Sequence, residues 1–242
     1  MQNKIYALIT GGSGAIGAAI SHALAQAGHH VYIHANQNLQ KAQTLANQLQ
    51  QHGLSASVVQ FDVSNAEQTR QVLETLTEQT PIQILVNNAG INDDAVFPAM
   101  RQEQWQDVIN VSLNGFFNVT QPLMMPMICS RFGRIVSISS VAAIRGNRGQ
   151  VNYAAAKAAL HGASKSLALE LASRNITVNV VAPGIIESPL IENLFDEEMI
   201  ASLVPMKRAG KPEEVASLVT YLCSRDAGYI SGQVISVNGG MI

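Results

Sequence analysis

Short runs rich in Val, Ile and Ala recur along the chain with little polar alternation. They occupy Ile5–Ile9, His30–Ile33, Ala56–Phe61, Ile84–Val86, Arg134–Ser137, Thr177–Val181 and Gln233–Val237. Unbroken apolar runs of this length predict strands covered on both faces, as in a parallel sheet. Between them, apolar residues fall at helical spacing. That spacing predicts helices over Ile16–Ala27, Leu39–Gln51, Ala66–Glu78, Gln102–Met127, Tyr153–Ala172 and Pro212–Cys223. Gly28 and Gly53 stand where two of these helices should end. Strand and helix alternate throughout, so the expected fold is α/β: a single-domain, Rossmann-type, doubly wound parallel sheet. It would span residues 1–242, with about seven strands and helices on both faces. The longest irregular stretch begins at Pro183 and runs to about Glu192, before a short acidic helix. A substrate lid is expected around residues 185–205, because long loops in compact domains are often functional.

Composition narrows the class. Charged residues make up 13% of the 242 and hydrophobic residues 47%, which excludes a disordered chain and a coiled coil. The net charge of −2 gives no overall attraction to nucleic acid or to a membrane. No apolar run approaches the roughly 18 residues of a membrane span. Met1-Gln2-Asn3-Lys4 lacks the pattern of a secretion signal, so a cytoplasmic protein is expected. Cys129 and Cys223 have neither metal nor redox spacing and are expected to be reduced and buried; no metal site is expected.

The scarce charge is also sorted. From Val108 to Leu169 there is no acid, while Arg131, Arg134, Arg145, Arg148, Lys157 and Lys165 fall within that stretch. It reads either as ordinary solvated surface or as a cationic cleft for an anionic ligand or partner.

Thr10-Gly11-Gly12-Ser13-Gly14-Ala15-Ile16-Gly17 follows the first strand and opens the first helix. Gly12, Gly14 and Gly17 match the spacing of a dinucleotide fingerprint. Glycines there let the backbone approach a pyrophosphate, and the helix N-terminus favours its charge. The second strand ends in His34-Ala35-Asn36-Gln37. A carboxylate at that point would bind the ribose of NAD and repel a 2′-phosphate. None is present, and neutral Asn36 and Gln37 stand there, so NADP is preferred over NAD.

Tyr153 and Lys157 are four residues apart and share one helix face. A nearby ammonium favours the phenolate and lowers the pKa of a phenol, letting it exchange a proton near neutral pH. Ser140 lies at the end of a predicted strand and its turn, where its hydroxyl can hold a substrate oxygen.

Together, Thr10–Gly17, Asn87-Asn88-Ala89-Gly90, Ser140, Tyr153 with Lys157, and Pro183-Gly184 fall in the order and spacing of the short-chain dehydrogenase/reductase family. The resemblance covers essentially the whole chain. Ile84–Gly90, Asn152–Lys157, Ile176–Gly184 and Val237–Met241 are most similar to the bacterial 3-oxoacyl-acyl-carrier-protein reductases.

The resemblance implies that Tyr153 gives a proton to a ketone, that Lys157 binds the nicotinamide ribose and lowers the Tyr153 pKa, and that Ser140 holds the carbonyl. It implies NADP(H) held by Gly11, Ser13, Gly14, Ala15, Ile16 and Gly17, with Asn36 at the ribose. Asp62 and Val63 would contact adenine, and Asn87, Ala89 and Gly90 the cofactor's middle, although Asn87 and Asn88 could also pin neighbouring strands. Pro183, Gly184 and Ile185 would meet the nicotinamide carboxamide, with Ser188 nearby.

The implied reaction reduces a 3-oxoacyl thioester on an acyl carrier protein, in fatty-acid or specialised polyketide or polyene synthesis. Arg131 and Arg174 would dock the carrier at the cleft rim, and Arg145 and Arg148 flank the substrate mouth. The implied assembly is a homotetramer. The alternatives are a dehydrogenase of a small alcohol, sugar or steroid, and a cofactor-binding scaffold.

Three positions depart from the family. Ala15 replaces a glycine, Gly14 stands where an Arg can meet a 2′-phosphate, and Ser112 replaces the Asn of the proton relay. Asn110 and Asn114 are close in sequence but two residues from Ser112, which on a helix is a different face. Ser112 is therefore the expected substitute.

Overall fold

The computed structural model describes residues 4–242, so the expectation drawn from Met1–Lys4 rests mostly on residues outside the described ones. The strands are β1 (Tyr6–Ile9), β2 (His30–Ala35), β3 (Ala56–Gln60), β4 (Ile82–Asn87), β5 (Gly133–Ile138), β6 (Ile176–Pro183) and β7 (Val234–Val237). They form one seven-stranded sheet in the order β3-β2-β1-β4-β5-β6-β7, and every pairing is parallel. The order reverses between β1 and β4, which opens a crevice at their carboxyl ends.

The helices are α1 (Ala15–Gln26), α2 (Leu39–Gln51), α3 (Ala66–Gln79), α4 (Gln102–Ile109), α5 (Gly115–Ser130), α6 (Ala142–Arg145), α7 (Val151–Leu171), α8 (Pro189–Leu194), α9 (Glu197–Leu203) and α10 (Pro212–Cys223). Strand side chains alternate between two cores. Ala7 and Ile9 of β1 pack with Ile20 and Leu24 of α1, Leu49 of α2 and Val219 of α10. Leu8, between them, faces Leu73 of α3, Leu123 of α5 and Leu171 of α7. Both faces of the sheet are thus covered, which is why the strands read as unbroken apolar runs. Gly28 and Gly53 take positive φ, +91° and +73°, just past α1 and α2. They end these helices in a conformation that costs a side chain energy and costs glycine little.

Three expectations differ from the fold. The single helix read over Gln102–Met127 is α4 and α5 joined by a π-helical turn, Asn110–Asn114. The stretch read as irregular, Pro183 to about Glu192, contains the start of a short helix, α8, while the acidic helix expected beyond it is α9. Cys223 is buried, but Cys129 is exposed. Met127 of α5 points into the core, and a residue two positions on lies on another face of the helix.

Candidate active site

Two adjoining pockets occupy the crevice and share Asn88 and Gly90 in their walls. The larger, about 640 Å³, is lined by Gly11, Ser13 and Gly14, by His34–Asn38 at the end of β2, by Asp62–Ser64 and by Asn88–Ile91. The loop after β1 is tightly folded. Gly11 has φ +59°, and the Gly14 N–H donates to the Gly11 carbonyl at 3.1 Å. A Cβ at Gly12 would stand 2.9 Å from the Ile9 carbonyl, and one at Gly17 would collide with the Gly11 carbonyl. Only glycine lets this turn close against the start of α1. Gly14 has no such crowding, and Ala15 begins an ordinary helix, so the methyl at position 15 is accommodated. The free N–H groups at the start of α1, on a glycine turn beside a pocket of this size, fit the diphosphate of a dinucleotide.

Asn88 fastens the loop from the far side, its amide donating to the carbonyls of Thr10 and Gly11, both at 3.0 Å. Asn87 does not line the pocket. Its amide donates to Thr120 Oγ1 at 3.1 Å and pins β4 to α5, the structural role left open in the sequence.

The smaller pocket, about 220 Å³, brings together Ser140, Tyr153 and Lys157 with Ile16, Pro183, Gly184 and Ser188. Ser140 Oγ accepts the Ala142 N–H at 3.1 Å, which leaves its proton free, and the Tyr153 side chain lines the same pocket. Lys157 is buried, and its Nζ donates to the Ile138 carbonyl at 2.9 Å. Burial pushes this ammonium down to about 8. Its Nζ stands 5.8 Å from the centre of the Tyr153 ring.

The phenol itself departs from expectation. Burial pushes Tyr153 above the ordinary phenol range, and Asp94 adds to that, while the Ser140 hydroxyl opposes it. In the free protein Tyr153 is therefore a neutral proton donor. Tyr153 is partly exposed at the pocket wall, yet enough protein surrounds the phenol for desolvation to win.

Ser112 lies inside the π-turn and is buried. A Cβ at Gly90 would meet Lys157 Nζ at 3.0 Å and Ser112 Oγ at 3.5 Å, so both groups face one point. Among the described residues the Ser112 hydroxyl has no hydrogen-bond partner. Asn110 and Asn114 bond to each other on the exposed side, which removes them as substitutes.

Sequence reasoning missed Asn152. Fully buried, it donates to the carbonyls of Asp93 and Gln104, both at 2.9 Å, and accepts the Tyr153 N–H at 2.8 Å. It ties the start of α7 to α4, and with it the catalytic tyrosine. Its signal in the sequence was its place in the Asn152–Lys157 stretch that carries the resemblance, beside Tyr153.

A family profile described as Enoyl-(Acyl carrier protein) reductase matches residues 12–242. The chain is 44% identical over 236 residues to a 3-oxoacyl-[acyl-carrier-protein] reductase of Aggregatibacter actinomycetemcomitans, covering 97% of this chain and 98% of that protein. It is 43% identical over 247 residues to a protein of the same description from Thermotoga maritima, covering 100% and 99%. It is 43% identical over 238 residues to Nodulation protein G of a Rhizobium strain, covering 97% and 96%. The chain belongs to the short-chain dehydrogenase/reductase family. It is therefore an oxidoreductase of a family that uses NAD(P).

As a member of that family, it places most of its motif residues at the two pockets. Ile185 is an exception. It lines a separate cavity with Met206 and Asn238, and its carbonyl accepts the Gly210 N–H at 2.9 Å; Ile186 lines both that cavity and the catalytic pocket. The arginines are another exception. Arg131 caps α5 and donates to the Ser173 carbonyl at 3.4 Å, next to Arg174, so the two form one patch. That patch precedes β5 and β6, whereas Ser140 follows β5. A strand of this length puts roughly 17–20 Å between them, so the pair does not rim this chain's own cleft. Nor is the acid-free stretch one cationic face: Arg134 and Lys157 are buried, and Arg134 spends its guanidinium on the carbonyls of Gly133, Asn175 and Ser224. No described helix is long and apolar enough to cross a membrane, and no cluster of metal-ligating residues occurs among the described residues.

Proposed function

We propose that this protein reduces the 3-oxo group of an acyl thioester, carried on an acyl carrier protein, with NADPH. The observation that carries the reading is the Ser140–Tyr153 hydroxyl pair backed by buried Lys157 in one pocket. Two hydroxyls lining one pocket suit a carbonyl oxygen that gains charge. Reduction of a carbon–carbon double bond, which the family profile's description names, would protonate carbon instead. When bound, the nicotinamide supplies hydride. Ser140 orients the carbonyl, neutral Tyr153 gives the proton, and Lys157 holds the ribose.

Asn36, Gln37 and Asn38 support NADPH, because no carboxylate stands at the end of β2 to repel a 2′-phosphate. Asp62 shares the pocket, but its Oδ1 is committed to the Ser64 N–H and hydroxyl at 2.9 and 2.7 Å. The test is NADPH oxidation with acetoacetyl thioester on a carrier, a free keto ester, a simple cyclic ketone and a crotonyl thioester. The highest kcat/KM is expected on the carrier-bound ketone. Faster turnover of the crotonyl thioester or of the simple ketone overturns the substrate assignment.

Ser112 takes the relay position beside Lys157 in this reading. Ser112→Ala is expected to slow turnover about tenfold, within the range of proton-transfer catalysis. Its melting temperature should not fall, because it removes an unpartnered buried hydroxyl. Ser112→Asn is expected to keep or raise turnover. Unchanged turnover in the Ala variant, with no gain in the Asn variant, makes the position structural.

Carrier docking at Arg131 and Arg174 requires the active site of a second copy, which agrees with a tetramer. Exposed Phe117 and Met125 on α5 and Leu169 on α7 support such contacts. Arg131→Glu with Arg174→Glu is expected to raise KM for the carrier-bound substrate and to spare the free keto ester. Equal losses on both substrates refute docking at this patch, and a monomeric mass in solution refutes the assembly.

A further inference from the structure

His34 is a buried histidine that the reaction does not use. Its Nδ1 stands 3.0 Å from the Gly11 nitrogen, and its Nε2 stands 2.9 Å from the Phe61 carbonyl oxygen. The partners settle the tautomer. The Gly11 N–H can only donate, so Nδ1 carries a lone pair. The Phe61 carbonyl can only accept, so Nε2 carries the proton. The ring is therefore neutral, with both nitrogens occupied. It lies against the Phe61 ring, centroids 4.0 Å apart. The His34 carbonyl also accepts the Gly12 N–H at 2.9 Å, so one residue grips two successive N–H groups of the glycine loop.

These contacts join opposite walls of the larger pocket. Gly11 begins the turn that would meet the diphosphate, and Phe61 leads into Asp62 and Val63 on the adenine side. We propose that His34 is a positioning residue for the dinucleotide: through its two ring nitrogens it sets the distance between the glycine loop and the Phe61–Asp62 wall. The proposal rests on the reading that this pocket takes the adenosine half of the cofactor. Gly11, at φ +59°, has no side chain to restrict its backbone, so an acceptor fixed by a packed ring orders it better than water would.

A proton on Nδ1 would face the Gly11 N–H and break the grip. The charged group acting on the ring is Asp62, which favours protonation; burial opposes it and wins, holding the ring down to about 4. The loop Thr10–Gly17 brings no charge. The neutral form thus persists through the pH range in which the enzyme would work.

The test measures NADPH and NADH affinity by fluorescence titration, and ring tautomer by nitrogen NMR on the free protein. The wild type should show Nε2–H, unchanged across neutral pH. His34→Leu removes both ring contacts; it should weaken both dinucleotides about tenfold, the effect of roughly one lost hydrogen bond, while KM for the ketone at saturating cofactor stays put. His34→Asn keeps an acceptor near Nδ1 and should recover most of the loss. If the Leu variant does not fold, His34→Gln, which reaches Phe61 but not Gly11, decides by the same two constants. A Leu or Gln variant that binds dinucleotide as the wild type does overturns the proposal. So does an Asn variant no better than Leu, or an Nδ1–H ring in the wild type. A wild type that prefers NADH overturns the cofactor preference instead. The variant-to-wild-type ratio, taken for each dinucleotide, still decides the role of His34.

Discussion

Lys157→Met is expected to abolish useful turnover and at the same time to make the free protein more stable. Lys157 is fully enclosed, and its pKa falls from 10.5 to about 8. The unfolded chain therefore binds more protons between those values, and stability rises with pH through that window. Below about 8 the whole penalty of burying the charge applies, about 3 kcal/mol at 1.36 kcal/mol per unit. Met fills the same space without charge. It gives up the charged hydrogen bond to the Ile138 carbonyl, worth about 1.5–3 kcal/mol. The net expectation is a gain of about 1 kcal/mol, or roughly 2–4 degrees in Tm for a domain of this size. Calorimetry of the free protein at neutral pH checks it. A Met variant that melts lower than the wild type shows that the ammonium stabilises the fold. In the wild type, kcat/KM should fall as pH rises past about 8, where the free enzyme loses this cation.

Tyr153→Phe should reduce ketone turnover about 10²- to 10⁴-fold, the range for a positioned proton donor. It removes one oxygen and little volume. The ring stays in the pocket wall, so NADPH affinity and melting temperature should be nearly unchanged. Stopped-flow turnover together with a binding titration separates the two effects. A Phe variant that still reduces the ketone at a comparable rate assigns the proton to another group, with Ser140 the nearest candidate. The direction of the Tyr153 shift matters here. With the phenol held above its ordinary range, the donor form persists through neutral pH, and any loss from its ionisation appears only in strong alkali.

Both predictions concern residues legible from spacing. Tyr153 and Lys157 stand four apart on α7, and a helix of 3.6 residues per turn leaves them little choice but to share a face. The glycine loop was equally legible. Its requirement is local, a turn that admits no Cβ at Gly12 or Gly17. The parallel, doubly wound sheet also followed, because buried parallel strands need helical crossovers and an unbroken apolar pattern.

Other assignments failed for want of direction. Asn87 and Asn88 are neighbours in one strand end, yet one reaches α5 and the other the glycine loop. Successive strand residues point to opposite faces, and which face holds the cofactor depends on the strands alongside. Arg131 and Arg174 are far apart in sequence and adjacent in space, but at the amino ends of β5 and β6. Sequence distance from Ser140 did not reveal that a whole strand intervenes.

The sequence by itself determined the parallel α/β architecture, the glycine turn and the Ser140–Tyr153–Lys157 set. All of these rest on local period, local sterics or short fixed spacing. The tertiary structure alone decided three other things: that burial holds the Tyr153 phenol above its ordinary range, that Asn152 anchors the tyrosine, and that His34 ties the glycine loop to Phe61. Each depends on burial and on partners brought from distant elements. Desolvation and hydrogen bonding between such groups exist only once the sheet has closed its two cores.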